Sequence, residues 1–84
     1  MTGISIVIPA LDEAEALPRL IRCLTALDPQ PDEIILVDGG STDDTVKLAE
    51  FAGFTVLHQT PAGRARQINK GVEAASHKIV CVLH

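Results

Sequence analysis

The feature that most constrains the fold is an alternation. Short runs, nearly continuous in aliphatic and β-branched residues, are separated by stretches with helical spacing. The runs are Ile4-Ser5-Ile6-Val7-Ile8, stopped by Pro9; Glu33-Ile34-Ile35-Leu36-Val37-Asp38, ended by Gly39-Gly40; Phe54-Thr55-Val56-Leu57-His58; and Lys78 to Leu83. A strand without a polar face must be covered on both sides, which is the condition of a parallel sheet flanked by helices. Leu17, Leu20, Ile21, Leu24 and Leu27 recur at helical spacing, so a first helix is predicted from near Leu17, with Pro18 in its first turn and residues 11–16 as an entry turn. Asp28-Pro29-Gln30-Pro31 cannot continue it. A second helix is predicted over Asp43 to Ala52, capped by Ser41 or Thr42 and stopped at Gly53. A third is predicted from Arg64 to Ser76, with Ile68, Val72 and Ala75 as its apolar stripe. Right-handed crossovers between such strands give an α/β fold. Its parallel sheet has the order 3-2-1-4, with the first strand inside and helices on both faces.

Composition narrows the function. The 84 residues make a single domain, 46% hydrophobic with a net charge of −4, which excludes a disordered chain. Seven Lys+Arg in an acidic chain, with two Phe and no Trp or Tyr, offer neither a duplex footprint nor a base-stacking platform, so nucleic acid is excluded as a partner. Cys23 and Cys81 lie in apolar runs and read as buried, reduced thiols; without a CxxC pair or Cys/His cluster there is no structural zinc site. No signal peptide precedes the first strand, and no apolar run nears the roughly 20 residues of a membrane span, so a cytoplasmic protein is expected. His84 ends an apolar strand with nothing to cover it. The expectation is therefore the N-terminal half of a larger α/β domain, prone to self-association through that strand.

In open α/β sheets ligands bind beyond the carboxyl ends of the strands. Pro9-Ala10-Leu11-Asp12-Glu13, Asp38-Gly39-Gly40-Ser41-Thr42-Asp43 and Gly63-Arg64-Ala65-Arg66 all emerge there, as does whatever follows His84. The Asp38 carboxylate can accept hydrogen bonds from a base edge or a ribose diol, or it can cap the next turn. Gly39 and Gly40 permit close backbone approach, but neither a Gly-x-Gly-x-x-Gly fingerprint nor a Walker lysine motif occurs. Gly63-Arg64-Ala65-Arg66 opens a helix, where amides, the helix dipole and two arginines suit a diphosphate; the alternative is a solvated basic turn. Gln67 and Asn69, in the first turns of that helix, could reach a substrate, and Asn69 could equally hydrogen-bond to neighbouring loops. Glu13 could contact the ligand, pair with an arginine, or act as a helix-start acid. His58, His77 and His84 are not spaced as metal ligands; His77 reads as a surface residue.

Together these segments resemble the family 2 glycosyltransferases. Ile4 to Pro9 followed by Ala10-Leu11-Asp12-Glu13 is similar to their V-I-P-x-x-N-E opening. Val37-Asp38-Gly39-Gly40-Ser41-Thr42-Asp43-Asp44-Thr45 resembles V-D-D-G-S-x-D-x-T, and Gly63-Arg64-Ala65-Arg66-Gln67-Ile68-Asn69-Lys70-Gly71 resembles G-x-x-x-A-x-N-x-G. The resemblance runs the length of the chain, and the D-G-G-S and G-R-A-R-Q-I-N forms are similar to a bacterial subgroup of small soluble members. It implies a GT-A fold with a Rossmann-like sheet, and transfer of a sugar from a nucleotide diphosphate donor to an acceptor that the residues do not name. It implies that Pro9, Ala10 and Glu13 line the nucleotide pocket and that Asp38 faces the base or ribose, with Gly40 beside it. Gly63, Arg64 and Arg66 would border the pyrophosphate. Asp12 stands where Asn is commoner, and Gly39 where a second Asp is commoner. That Asp reads a uracil edge in relatives, so the base stays open. Mg²⁺ or Mn²⁺ would bind a D-x-D motif beyond His84, and no residue within the 84 is assigned as catalytic. The full-length protein is thus expected to be an enzyme and the 84 residues alone inactive. Two other readings remain: a nucleotidyltransferase of similar fold, whose Gly-rich, Arg/Lys-containing loop after the first strand Pro9 to Glu13 does not match, and a non-catalytic α/β interaction module.

Overall fold

A computed structural model describes residues 3–81. Strands and helices alternate as β1 (Ile4–Ala10), α1 (Leu17–Thr25), β2 (Glu33–Asp38), α2 (Thr45–Phe51), β3 (Thr55–His58), α3 (Arg64–Ala74) and β4 (Lys78–Cys81). The four strands form one parallel sheet in the order β3-β2-β1-β4, as expected from the sequence. Ile8 stands opposite Leu36, Val37 opposite Leu57, and Ile6 opposite Val80.

Successive side chains of a strand point to opposite faces, and here both faces are apolar. Ile6, Ile8 and Leu36 pack with Leu17 and Leu24 of α1, Ala49 of α2, and Phe54. On the other face Val7, Ile35 and Val37 pack with Leu57, Ala75 and Ile79. The close approach of α3 to this second face depends on Gly71, where a Cβ would stand 2.4 Å from Val7 Cγ1 and 3.1 Å from Val37 Cγ2.

Several boundaries differ from the sequence expectation. Strand β1 does not stop at Pro9; Pro9 and Ala10 stay in register with Val37 and Asp38. The ladder tolerates the proline because Ile4 and Ala10 turn their carbonyls to the β2 side. The nitrogen of Pro9 therefore points to the β4 side, past the last described pair, Val7 with Cys81. Helix α2 begins at Thr45 rather than Asp43, and neither Ser41 nor Thr42 caps it. The Asp43 carboxylate instead accepts from the N–H and hydroxyl of Thr45, closing a turn before the helix starts. Helix α3 ends at Ala74, because Ala75 is extended (φ −72°, ψ 140°) and the Ser76 N–H donates to Glu33 Oε1 at 3.0 Å. Phe54 precedes β3 and is buried beneath it. Cys23 is exposed, contrary to expectation. It falls off the α1 stripe, whose buried members are Leu17 and Leu24. The Cys81 side chain, the last two residues of the expected fourth strand, and His84 lie outside what is described. Among the described residues no helix is long and apolar enough to cross a membrane.

At the amino edge of the sheet, Ser5 is fully buried and its hydroxyl donates to Glu33 Oε1 at 2.6 Å. Asp32 Oδ2 accepts from the Ile4 N–H at 2.9 Å. These bonds fasten the starts of β1 and β2, at the end of the sheet opposite the loops that follow them.

Candidate functional site

At the carboxyl edge, the loops after β1 and β2 are stitched together backbone to side chain. The Asp12 N–H donates to Ser41 Oγ and the Thr42 N–H to Asp12 Oδ1, both at 2.8 Å. The Glu13 N–H donates to Thr45 Oγ1 at 2.8 Å and the Ala14 N–H to Asp43 Oδ2 at 3.1 Å. Asp12 has φ 50°, a left-handed conformation that Asp tolerates better than most side chains. Hydrogen bonds from Thr45, hydroxyl first, hold the Asp43 carboxyl below the usual carboxylate range. The Ser/Thr/Asp-rich β2–α2 segment is thus the framework that shapes the Leu11–Glu13 loop.

Asp38 is 2% exposed. Its Oδ2 accepts from the N–H groups of Gly40 and Ser41 at 3.0 and 2.9 Å, and its Oδ1 accepts from the Ser41 hydroxyl. Of its two sequence readings, turn capping is the role this geometry displays. Gly40 follows with φ 106°, where a side chain would be strained.

Gln67 ties the third loop to the other two. Its side chain is 4% exposed; Nε2 donates to the carbonyls of Ala10 at 2.9 Å and Val37 at 2.8 Å, and Oε1 accepts from the Gly63 N–H at 3.1 Å. The expectation that Gln67 reaches a substrate is corrected by these bonds, which use both donors inside the protein. Asn69 is exposed and lines a separate groove. A cleft of about 280 Å³ opens between the end of β1 and the start of α3. It gathers Pro9, Ala10, Glu13, Gly63 and Arg64 of the eight sequence candidates, with Leu11, Ala62 and Gln67 completing its lining. Asp38 and Gly40 stand outside the lining. Arg66 lines the neighbouring groove with Gln59, Asn69 and Lys70.

Ala62, and the bracing role of Gln67, escaped the sequence reading. Ala62 borders both the cleft and Gly39: a Cβ on Gly39 would lie 2.8 Å from Ala62 Cβ and 3.1 Å from Gln67 Oε1. A second Asp therefore has no room where Gly39 stands. The only sequence signal for Gln67 was its place one helical turn after Gly63.

The first turn of an α-helix has N–H groups without intrahelical partners, and the helix dipole favours negative charge there. Helix α3, 11 residues long, points this end into the cleft wall at Gly63 and Arg64. That end favours negative charge in the cleft. Among the described residues no group of three or more His, Cys, Asp or Glu side chains could hold a metal ion.

Comparison with known proteins converges on one family. The model of glycosyl transferase family 2 matches residues 5–84. An uncharacterized glycosyltransferase of Mycobacterium tuberculosis is 32% identical over 81 residues, covering 96% of this chain and 35% of its own. Glucosyl-3-phosphoglycerate synthase of Mycolicibacterium paratuberculosis is 43% identical over 60 residues, 70% of this chain and 18% of its own. A crystal structure of the Mycobacterium tuberculosis glucosyl-3-phosphoglycerate synthase with Mn²⁺, UDP and glucosyl-3-phosphoglycerate superposes with a TM-score of 0.84 at 28% identity, over 98% of this chain and 33% of that one. The match thus spans from 18% to 35% of the length of these longer relatives. With the sheet order, the three motif segments and the matched family model in agreement, the chain belongs to glycosyl transferase family 2, in its GT-A fold.

Proposed function

We propose that this chain supplies the donor-binding part of a glycosyltransferase that moves a sugar from a nucleotide diphosphate to an acceptor, and that the cleft between β1 and α3 receives the donor. One observation carries the reading: in a family 2 member, the α3 N-terminus and Arg64 face Pro9, Ala10 and Glu13 across a single cleft at the carboxyl edge. In this reading the Gly63–Arg64 turn holds the diphosphate, and Pro9, Ala10 and Glu13 wall the nucleoside. Asp38 and Gly40 act from beneath, as the turn that sets the floor near the base or ribose. Arg66 contributes positive potential from the adjacent groove. The crystal structures of the mycobacterial synthase with Mn²⁺, UDP and UDP-glucose support the donor class. Among the described residues no group of three or more His, Cys, Asp or Glu side chains could hold a divalent cation, and the part this proposal gives them is to bind and orient the donor. The metal motif belongs, in this proposal, to sequence beyond His84.

The proposal includes a cytoplasmic setting, supported by the free thiol of Cys23, which suits a reducing compartment. Titration with UDP, GDP and their sugars tests the reading. Binding of a nucleoside diphosphate well above its nucleoside is the expected result. Indifference to every nucleotide would instead favour an interaction module.

A further inference from the structure

We propose that Gln67 is the positioning residue of this cleft: without touching the donor, its buried amide fixes the start of α3 against the ends of β1 and β2. The inference rests on the donor-binding reading above and adds the device that sets the cleft's width.

The geometry is specific to an amide of this length. A glutamine side chain has two N–H donors and one carbonyl acceptor. Both donors are used on the carbonyls of Ala10 and Val37, at the ends of neighbouring strands, and the acceptor takes the Gly63 N–H. Those three groups belong to three separate segments, and two of them, Ala10 and Gly63, stand on opposite walls of the cleft. Ala10 is further fixed because its carbonyl also accepts from the Gly39 N–H at 2.9 Å. One side chain thus spans the cleft floor and sets how far the diphosphate end of α3 stands from the nucleoside wall. Asn is one methylene too short for this reach. An ionised Glu would face two carbonyl oxygens with no proton to donate. Met matches the shape and lacks the bonds.

Gly39 makes the arrangement possible. A Cβ there would lie 3.1 Å from Gln67 Oε1 and 3.2 Å from its Cδ, tighter than ordinary contact. Gly39 and Gln67 are therefore a matched pair. In the motif forms quoted above the same two places carry Asp and Ala, so this chain exchanges a side chain on the β2 loop for one on α3.

The test is an NMR titration of the ¹⁵N-labelled protein and its Gln67→Met and Gln67→Ala variants with UDP and GDP, and with uridine and guanosine. Displacing one charge-assisted phosphate contact should weaken binding of the preferred diphosphate about tenfold in both variants. Nucleoside affinity should stay within about twofold, and the Gly63 amide should exchange faster with solvent. In the unaltered protein the Gln67 Nε2 protons should exchange slowly and show no Overhauser contact to the nucleotide. That measurement decides the matter if a variant fails to fold. Unchanged diphosphate affinity in Gln67→Met, equal losses for diphosphate and nucleoside, or a direct contact from nucleotide to Nε2 overturns the inference alone. An unaltered protein blind to UDP and GDP overturns the donor-binding reading first.

Discussion

Gly71 shows how one missing methyl group sets a helix–sheet distance. A Cβ at 2.4 Å from Val7 Cγ1 has no room, and Val7 is fully buried, so α3 must lift from the sheet to admit it. Overpacking of this kind costs about 1–3 kcal/mol, while Ala gains up to about 1 kcal/mol over Gly in helix propensity. Gly71→Ala should therefore lower the urea midpoint; a raised midpoint would show that propensity wins. At the opposite edge, Glu33 gives a pH signature. The Ser5 hydroxyl, then the Ser76 N–H, hold its carboxyl below the ordinary value of 4.5. A carboxyl depressed in the folded state stabilises fully above its unfolded pKa, and that contribution disappears as pH falls through the lower folded value. The stability difference between the native sequence and Glu33→Gln should thus be constant above pH 4.5 and shrink below it. A difference that grows on acidification would reverse the sign of this linkage.

In the proposed function the elements divide the donor between them, and α3 carries the charge. Arg64 lines the cleft, whereas Arg66 lines the next groove, so the two arginines are not equivalent. Arg64→Ala should weaken nucleotide diphosphate binding about 10- to 100-fold, the loss of one charge-assisted contact, and leave nucleoside binding nearly unchanged. Arg66→Ala, acting through an exposed charge, should cost only a few-fold, to be read in the same calorimetric titration. Equal losses for both variants would put the diphosphate over the outer face of α3 instead. At this scale the sequence was largely legible. Strands such as Glu33–Asp38 announce themselves because burial on both faces makes the apolar run continuous. The start of α2 was less so: Asp43, Asp44 and Thr45 are all plausible near a helix end, and only the turn Asp43 closes on Thr45 decides between them. The three motif segments of the site could be read from residue type and order. What joins them could not, because the Gln67 bonds span 57 residues to Ala10 and 30 to Val37. Side chains like Asp38 and Gln67 look the same in sequence whether they face a ligand or brace the loop beneath it.

The molecule as a whole sets the last expectation: the 84 residues, assayed by themselves, bind a nucleotide diphosphate but transfer no sugar, and they self-associate. Transfer must neutralise charge developing on the leaving diphosphate, commonly with a divalent ion held by oxygen ligands, and needs a base near the acceptor hydroxyl. Of the described carboxylates, Glu13 lines the cleft, while Asp12 and Asp43 bond the loops and Asp38 caps its turn. No described group of three or more ligand side chains could hold the ion. Self-association follows from the far side of the sheet. The outer edge of β4 has no strand pairing with it among the described residues, and a groove of about 390 Å³ beside it exposes Ile4 at 41%, Leu27 at 45% and Val80 at 45%. An open, apolar sheet edge is a template for another chain, and a lysine on such an edge blocks pairing. Sedimentation velocity should show dimers or larger species that dissociate on dilution, and Val80→Lys should shift the protein to monomer while its nucleotide affinity holds. A monomer at all concentrations would mean that α1 and the Pro29–Pro31 loop already shield this face. Metal-dependent release of nucleoside diphosphate from a nucleotide sugar, with acceptor glycosylated, would mean that the reacting centre is complete within these residues and that the cleft does more than hold the donor.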